Sequence, residues 1–278
     1  MTNKVKSLVI TGFGINCEEE TAAAYRLAGA DAEIIHLNDI LLKGLAIHAF
    51  DILNFPGGFS FGDDISSGKV LANKIKYKQL PSGKTLLDEI KLFLTQGKFV
   101  FGACNGFQVL VKLGLLPNVS GQVEQEVTLM RNNSGKYEDR WVHCLVTPGT
   151  KTPFLKGITK IALPVRHGEG KLIIKDNLLR QQIIDHKLNC LTYCDAAGNP
   201  TDEYPMNPNG AELNCAGLTS PSGQVFGLMP HPEAFLSLYN HPNWGQMKRQ
   251  NPYISEDGEG LAIFKNIVRH IQQSAQRR

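Results

Sequence analysis

The sequence predicts an α/β protein, in which a doubly wound, mostly parallel sheet carries an antiparallel strand elaboration. Two observations lead to this fold class. Apolar strand-like runs alternate with helical patterns through the first half of the chain, as they do in a series of βαβ units. Beyond about residue 122 the pattern changes to shorter strand-like runs bounded by turn residues. Because no linker separates the two parts, we expect one domain over residues 1–278.

The elements of the first half follow from hydrophobic periodicity. Continuous apolar runs predict buried strands, and apolar residues three and four positions apart predict helices. The strands are expected at 5–12, 32–37, 50–55 and 98–102, and the helices at 17–28, 86–95 and 105–113. Ligands of such sheets bind at the carboxyl ends of the strands.

The second half is expected to consist mainly of strands. These are predicted at 127–131, 140–147, 160–165, 171–174, 188–193, 211–219 and 224–229. The run Ser220-Pro221-Ser222-Gly223 between the last two strands is typical of a turn, so these strands should form a hairpin or lie side by side. Apolar residues at helical spacing predict a final helix over 260–274.

Composition excludes several functional classes. The chain has 278 residues, of which 42% are hydrophobic and 20% charged, as in ordinary globular proteins. Lysine and arginine number 29 against 26 acidic residues, so the charge predicts neither nucleic-acid nor membrane binding. Six cysteines without a secretory signal predict free thiols in a reducing cytoplasm. Cys190 and Cys194 are four positions apart, and we interpret them as packing residues rather than zinc ligands.

Cys104 is the leading candidate for a catalytic residue. It lies in a Gly-x-Cys-x-Gly run between a predicted strand and a predicted helix. This is the sharp turn on which α/β hydrolases expose their nucleophile. A free cysteine is more often a small buried hydrophobe, so the interpretation depends on whether the chain also supplies a base.

His231 and Glu233 supply a base and an acceptor that could orient it. A thiol needs a base to form the thiolate, and the base needs a hydrogen-bond acceptor on its other ring nitrogen. The same histidine-to-glutamate spacing occurs at His167 and Glu169. Spacing alone does not choose between the two pairs.

A glycine-rich loop after the third predicted strand could bind an oxyanion. Gly57 and Gly58 would give free backbone N–H groups and room for a ligand, and the N–H of Asn105 would add a donor. A plain turn is the alternative. The segment 12–17 partly matches a dinucleotide-binding fingerprint, but Cys17 replaces the third glycine, which argues against a nicotinamide or flavin site. The place of Cys17 at a helix start favours a lowered pKa.

Seven segments together resemble a known family. The chain resembles the triad (class I) glutamine amidotransferases, and more narrowly the glutaminase components of phosphoribosylformylglycinamidine synthase in purine biosynthesis. The segments occur in the order of that family and span positions 14 to 233. They are GINC (14–17), PGGFSFGD (56–63), GACNGFQ (102–108), RNNS (131–134), RWV (140–142), HGEG (167–170) and MPHPE (229–233).

The resemblance implies an enzyme with the flavodoxin-like class I glutaminase fold. Cys104 would form a γ-glutamyl thioester, with His231 rather than His167 as the base and Glu233 as its orienting residue. The 167–170 segment would then be a wall of the site or a partner contact. Gly57, Gly58 and Asn105 would hold the oxyanion, and Gln108, Asn132 and Ser134 would hold glutamine. The site would need no metal.

The resemblance also implies partners. Ammonia would pass to the synthetase subunit of phosphoribosylformylglycinamidine synthase, and a small accessory subunit could complete the complex. No cofactor is expected on this chain, since it lacks a Gly-x-x-x-x-Gly-Lys-Ser/Thr loop. ATP and Mg²⁺ would therefore bind the synthetase. The isolated chain should be a poor glutaminase that the nucleotide-loaded synthetase activates.

Two other functions remain open on the sequence. The chain could be another triad cysteine hydrolase or amidotransferase of the same fold, for instance one acting on a peptide or a γ-glutamyl conjugate. It could instead be a non-catalytic regulatory subunit, although all three triad residues are present. Covalent labelling of Cys104 by a glutamine analogue would argue against both.

Overall fold

The computed structural model describes residues 4–63 and 65–276, and the eleven strands found there form two sheets. The strands are β1 Lys6–Thr11, β2 Asp31–His36, β3 Ile52–Phe55, β4 Phe99–Ala103, β5 Val127–Arg131, β6 Glu138–Val146, β7 Lys160–His167, β8 Glu169–Ile174, β9 Asn189–Cys194, β10 Cys215–Thr219 and β11 Val225–Leu228. The helices are α1 Glu18–Leu27, α2 Leu37–Lys43, α3 Lys69–Tyr77, α4 Leu86–Thr95, α5 Asn105–Leu113, α6 Asn177–Asp185, α7 Trp244–Gln250 and α8 Leu261–Gln276.

The main sheet has the strand order β2-β1-β3-β4-β11-β10-β9-β6-β7. Its first five strands are parallel, and β10, β9, β6 and β7 continue it with antiparallel pairing. Strands β5 and β8 form a separate antiparallel pair. The predicted fold class is confirmed, and the hairpin expected between the last two strands is β10–β11.

The parallel strands are buried on both faces. Along β1, Leu8 and Ile10 belong to one cluster of buried residues and Val9 to the other, as the two-residue period of a strand requires. Helices α3, α4 and α5 contribute to the first cluster, and α1 and α8 to the second. Tyr25 of α1 and Phe264 of α8 meet edge to face, with their ring centres 5.0 Å apart.

Four helices were not expected from the sequence. Helix α2 follows β2 without an intervening loop, so no turn residue marks its start. Helix α3 begins after Gly68 without a side-chain cap. Its apolar face, formed by Leu71, Ala72 and Ile75, is hard to recognise in the sequence because lysines lie between and beside these residues. Helices α6 and α7 are also additional, and the strand predicted from 211 begins only at Cys215 because a short 3-10 turn precedes it.

The segment between β11 and α8 packs against the antiparallel part of the sheet. Phe235 lies edge to face against Trp141 of β6, with ring centres 4.9 Å apart. The ring centre of His241 lies 4.5 Å from that of the same tryptophan. Helix α7 belongs to this segment. Across residues 4–63 and 65–276, no helix has the length and apolar character needed to cross a bilayer.

Candidate active site

Cys104 lies on the turn between β4 and α5. Its backbone has φ 49° and ψ −105°, a conformation that is strained for a residue with a side chain. The N–H of Cys104 donates to the carbonyl of Leu228 at 2.8 Å, and its buried Sγ lies 3.4 Å from the carbonyl of Arg166. The thiol is therefore fixed between β11 and β7 at the carboxyl end of the parallel sheet.

Two glycines allow this turn to pack closely. A Cβ on Gly106 would lie 1.7 Å from the carbonyl oxygen of Phe55, so α5 contacts the end of β3 backbone to backbone. A Cβ on Gly102 would lie 2.8 Å from the carbonyl carbon of Gly106. The glycines on either side of the cysteine thus keep α5 against the sheet, as the elbow geometry requires.

Strand β11 brings His231 to the cysteine. It pairs in parallel with β4, so that Leu228 lies beside Ala103. The chain leaves β11 towards β7, where the N–H of His231 donates to the carbonyl of Pro164 at 2.8 Å. Because the carbonyl of Arg166, two residues along β7, accepts from Cys104, both side chains are held beside the same strand.

His231 and Glu233 form a buried pair. The Nδ1 atom of the imidazole lies 2.6 Å from Oε1 of Glu233, and each side chain is almost fully enclosed. Burial lowers the pKa of His231, but the charge of Glu233 and the interaction with Cys104 outweigh it, so the pKa lies well above its usual value. The ring is thus suited to hold the proton of a neighbouring thiol.

The rival pair, His167 and Glu169, does not form in the structure. Nδ1 of His167 lies 3.2 Å from Oδ1 of Asn132, whereas Oε2 of Glu169 accepts from the N–H of Ser67 at 3.1 Å. Complete burial, together with the charge of His231, lowers the pKa of His167 to about 3. His167 is therefore neutral at physiological pH and has no carboxylate to orient it.

The loop after β3 pairs with the loop after β1 through backbone hydrogen bonds. The pairing of Ile15 with Gly58 uses the N–H of Asn16, which donates to Gly57 at 3.2 Å, and the N–H of Phe59, which donates to Gly14 at 2.8 Å. The N–H of Gly58 takes no part in this pairing. Gly58 has φ 142°, and a Cβ there would lie 2.6 Å from the carbonyl oxygen of Gly14.

The side chains expected to bind glutamine are engaged within the chain. Oε1 of Gln108 accepts from Asn105 at 3.0 Å, and its Nε2 donates to the carbonyl of Glu169 at 2.6 Å. Nδ2 of Asn132 donates to the carbonyl of His167 at 2.8 Å, and Ser134 donates to Glu138 at 2.5 Å. Within the described ranges, the side chains of these three residues make no hydrogen bond to the side chains of Cys104, His231 or Glu233.

Cys17 is a residue of this site that the sequence reasoning missed. Its Sγ lies 4.0 Å from Nδ1 of His231. The expected lowering of its pKa is wrong: burial raises the pKa of this thiol, and its contact with His231 offsets only part of the effect. No sequence signal pairs Cys17 with His231, because the contact is made by two loops distant in the chain.

A thiol on a strand-to-helix elbow, beside a buried histidine–carboxylate pair, defines an α/β enzyme with a cysteine nucleophile. The chain belongs to the CobB/CobQ-like glutamine amidotransferase domain family, whose model matches residues 4–271.

Similar proteins cover nearly the whole chain. It is 40% identical over 272 residues to the phosphoribosylformylglycinamidine synthase subunit PurQ of Dehalococcoides mccartyi, covering 98% of this chain and 99% of that protein. It is also 40% identical to the subunit of the same name from Methanococcus maripaludis strain S2, over 96% of this chain and 98% of that one. A chain in the solved structure of PurLQS from Thermotoga maritima superposes with a TM-score of 0.68 at 26% identity, over 97% of this chain and 100% of that one.

Proposed function

We propose that this chain is the glutaminase component of phosphoribosylformylglycinamidine synthase in purine biosynthesis. It hydrolyses glutamine to glutamate and supplies ammonia to an ATP-dependent synthetase subunit. The observation that carries the proposal is the buried pairing of His231 with Glu233 beside Cys104 on its elbow. Support also comes from the 40% identity, over nearly full length, to subunits of that name.

Catalysis begins with attack of the Cys104 thiolate on the side-chain carboxamide of glutamine. His231 holds the thiol proton and donates it to the departing ammonia, leaving a γ-glutamyl thioester on Sγ. The N–H groups of Gly58 and Asn105 stabilise the oxyanion, each worth about 3 kcal/mol. Asn105 is the first residue of α5, where backbone N–H groups have no partner within the helix. His231 then activates the water that releases glutamate.

The predicted glutamine-binding residues shape the pocket through the backbone. Gln108 ties the start of α5 to the carbonyl of Glu169, and Asn132 ties the loop after β5 to the carbonyl of His167. We assign both to positioning the wall of the glutamine pocket, while Ser134 holds the buried Glu138. Glutamine would then contact the backbone and the surfaces that these bonds fix in place.

The synthetase subunit is the proposed partner and the proposed site of ATP and Mg²⁺. The PurLQS assembly of T. maritima, which contains a chain similar to this one over its full length, supports this assignment. The sequence supports it too, because it has no Gly-x-x-x-x-Gly-Lys-Ser/Thr loop for nucleotide phosphates. We propose the cytoplasm as the location, where the six unpaired cysteines would stay reduced.

The test is a glutaminase assay with and without the nucleotide-loaded synthetase, on the wild type, on Cys104→Ser and on Cys194→Ser. Cys194 is a buried cysteine outside the site and serves as the matched control. We expect little turnover without the synthetase, and a fall of roughly 10³-fold or more in Cys104→Ser with the synthetase present. Full activity of Cys104→Ser would refute the thioester, and equal activity without the synthetase would refute the coupling.

Covalent labelling separates the proposed function from its alternatives. A diazoketone analogue of glutamine should alkylate Cys104 in the wild type and leave the Cys104→Ser chain unlabelled, as read by peptide mass spectrometry. A cysteine hydrolase that acts on a peptide would not recognise the glutamine moiety, and a regulatory subunit would not activate the thiol. Absence of labelling in the assembled complex would therefore favour one of these.

A further inference from the structure

The side chains of Cys17, His231 and Glu233 carry metal-ligating atoms and lie close together. Nδ1 of His231 lies 2.6 Å from Oε1 of Glu233 and 4.0 Å from Sγ of Cys17. The ligand atoms of the three residues all lie within 4.8 Å of one another. The glutaminase mechanism uses His231 and Glu233, but it gives Cys17 no role.

The approach of Cys17 is built into the backbone. The N–H groups of Asn16 and Cys17 both donate to the carbonyl of Gly57, at 3.2 and 3.3 Å. A Cβ on Gly57 would lie 2.7 Å from Cε1 of His231 and 3.2 Å from Sγ of Cys17. The bare glycine therefore lets the thiol and the imidazole come together, while the paired loop holds the thiol in place.

The donor set fits zinc. Thiolate sulfur, imidazole nitrogen and carboxylate oxygen are its usual protein ligands, and three of them with an open fourth position form a common tetrahedral site. Oε2 of Glu233 is buried without a hydrogen-bond partner. Cys17 is only partly buried, so the cluster has a route to solvent, and the amide oxygen of Asn16 lies 3.3 Å from its Sγ.

We propose that Cys17, Nδ1 of His231 and Glu233 form a binding site for Zn²⁺, and that zinc bound there reversibly switches off the glutaminase. This inference rests on the proposed function, since it concerns the same histidine. Binding forms Zn–S and Zn–N bonds and releases two protons, one from the thiol and one from Nδ1. The thiolate and the carboxylate balance the charge of the ion, so the site gains no net charge on becoming occupied.

Zinc bound at this site prevents His231 from acting as a base. With Nδ1 bound to the metal, the remaining ring proton stays on Nε2, and His231 cannot accept the proton of the Cys104 thiol. Glu233 is also diverted from the orienting contact at 2.6 Å. The Cys104 thiolate loses its imidazolium partner, takes up a proton from solvent and, as a neutral thiol, does not attack glutamine. Chelation of the ion restores both protons and the pair.

The first test measures glutaminase activity of the assembled complex in chelator-buffered Zn²⁺, at saturating Mg²⁺. Each chain is compared with its own metal-free rate. A chain without activity in the absence of metal would contradict the proposed function, whereas the response to zinc tests only the metal site. We expect Cys17→Ser to need more than about 10-fold more zinc for half inhibition than the wild type, because a serine hydroxyl is a poor substitute for thiolate. Cys194→Ser is the matched control and should keep wild-type sensitivity. Equal inhibition of wild type and Cys17→Ser would overturn the proposal and place the zinc on Cys104 or on the synthetase.

The second test requires neither activity nor a substituted chain. Wild-type protein whose Cys104 has been alkylated is titrated with Co²⁺, a spectroscopic substitute for zinc. Thiolate ligation by Cys17 should produce a near-ultraviolet charge-transfer band, and Zn²⁺ should abolish the band and slow the alkylation of Cys17 at the peptide level. If the band does not appear and alkylation of Cys17 keeps its rate, the site does not exist.

Discussion

His231 holds a charge inside the protein because its neighbours outweigh its burial. Burial by itself would favour the neutral ring, but Glu233 and Cys104 both stabilise the imidazolium and raise its pKa well above the usual value. The charge of the carboxylate, which lies 2.6 Å from Nδ1, is the largest single cause of the rise in this pKa. The proton of the His231 imidazolium is therefore retained through its contacts with Glu233 and Cys104 together.

Glu233→Gln should remove that support. Without the carboxylate, burial has the larger effect and the pKa of His231 falls. As the pH is raised, the imidazolium therefore loses its proton at a lower pH than in the wild type. We expect kcat to drop by roughly 10³- to 10⁴-fold, with the alkaline limb of the pH–rate profile moved to lower pH. The measurement is glutaminase activity of the complex across pH, with Glu233→Asp as the variant that keeps the charge. An unmoved alkaline limb in Glu233→Gln would contradict the electrostatic role.

His167 should make the fold sensitive to acid. Its pKa is about 3 in the folded protein, whereas an unfolded histidine has a pKa of about 6.5. Between these values the unfolded chain binds a proton that the folded chain does not, so stability is fully present above about pH 6.5 and falls as the pH decreases.

The contribution of His167 can be isolated by substitution. Between about pH 7 and pH 5, His167→Gln should lose less stability than the wild type, by about 2 kcal/mol. Urea unfolding at both pH values measures the difference, and any packing defect of the variant cancels because it is present at each pH. His186→Gln, at an exposed histidine, is the control and should follow the wild type. Identical pH dependence in all three chains would show that His167 titrates normally.

Helix α5 determines where the nucleophile lies. Its second residue, Gly106, contacts the carbonyl of Phe55 so closely that a methyl group has no space. The fixed partner is backbone at the end of a central strand, which does not yield as a flexible side chain would. Any side chain at this position must therefore push α5, and Cys104 with it, away from the sheet.

Gly106→Ala should damage both stability and activity. We expect a loss of about 1–3 kcal/mol in the free energy of unfolding from overpacking, and a decrease in kcat larger than the change in KM. Gly245→Ala is the matched control, since Gly245 is likewise the second residue of a helix, with its nearest atom 3.8 Å from the added Cβ. Gly245→Ala should stabilise the protein slightly, because alanine has the higher helix propensity. If Gly106→Ala behaved like Gly245→Ala, the close packing of α5 would not be important.

The sequence was most informative where one element carries its own signal. Strand β4, the elbow and α5 follow from a local run of apolar and glycine residues, and the predicted helix over 105–113 coincides with α5. Helix α3 was missed because its start has no capping side chain. The position of Cys17 was missed for another reason. It depends on the contact of two loops through Gly57, and periodicity within a single chain segment does not encode such contacts.

The same limit applies to the choice between the two histidines. His167 and His231 have equal spacing to a glutamate. Only the tertiary contacts show that Glu233 hydrogen-bonds to His231, whereas Glu169 accepts from the N–H of Ser67. The roles of Gly57, Gly58, Asn105, Gln108, Asn132 and Ser134 remain predictions.

At the scale of the whole molecule, β11 joins the two parts of the main sheet. The parallel strands lie on one side of it, and the antiparallel strands that begin with β10 lie on the other. Since one sheet runs through both parts, we expect residues 1–278 to unfold as one cooperative unit.

Two probes can test that cooperativity. The chain has two tryptophans, and Trp244→Phe leaves Trp141 of β6 as the reporter of the antiparallel part. Its fluorescence in urea should change with the same midpoint as the far-ultraviolet circular dichroism, which is dominated by the helices of the parallel part. Wild-type protein provides the control for the substitution. Two separated midpoints would mean that the chain contains two domains.

The central position of β11 also has a consequence for biosynthesis. The ribosome makes β4 and the cysteine long before it makes β11, the strand that enters the sheet beside β4 and delivers His231 and Glu233. Until that strand is inserted, the nascent chain has a nucleophile without a base. In the proposed mechanism we therefore expect the growing polypeptide to be unable to consume glutamine, and competence for ammonia release to arise late, when β11 enters the middle of the sheet.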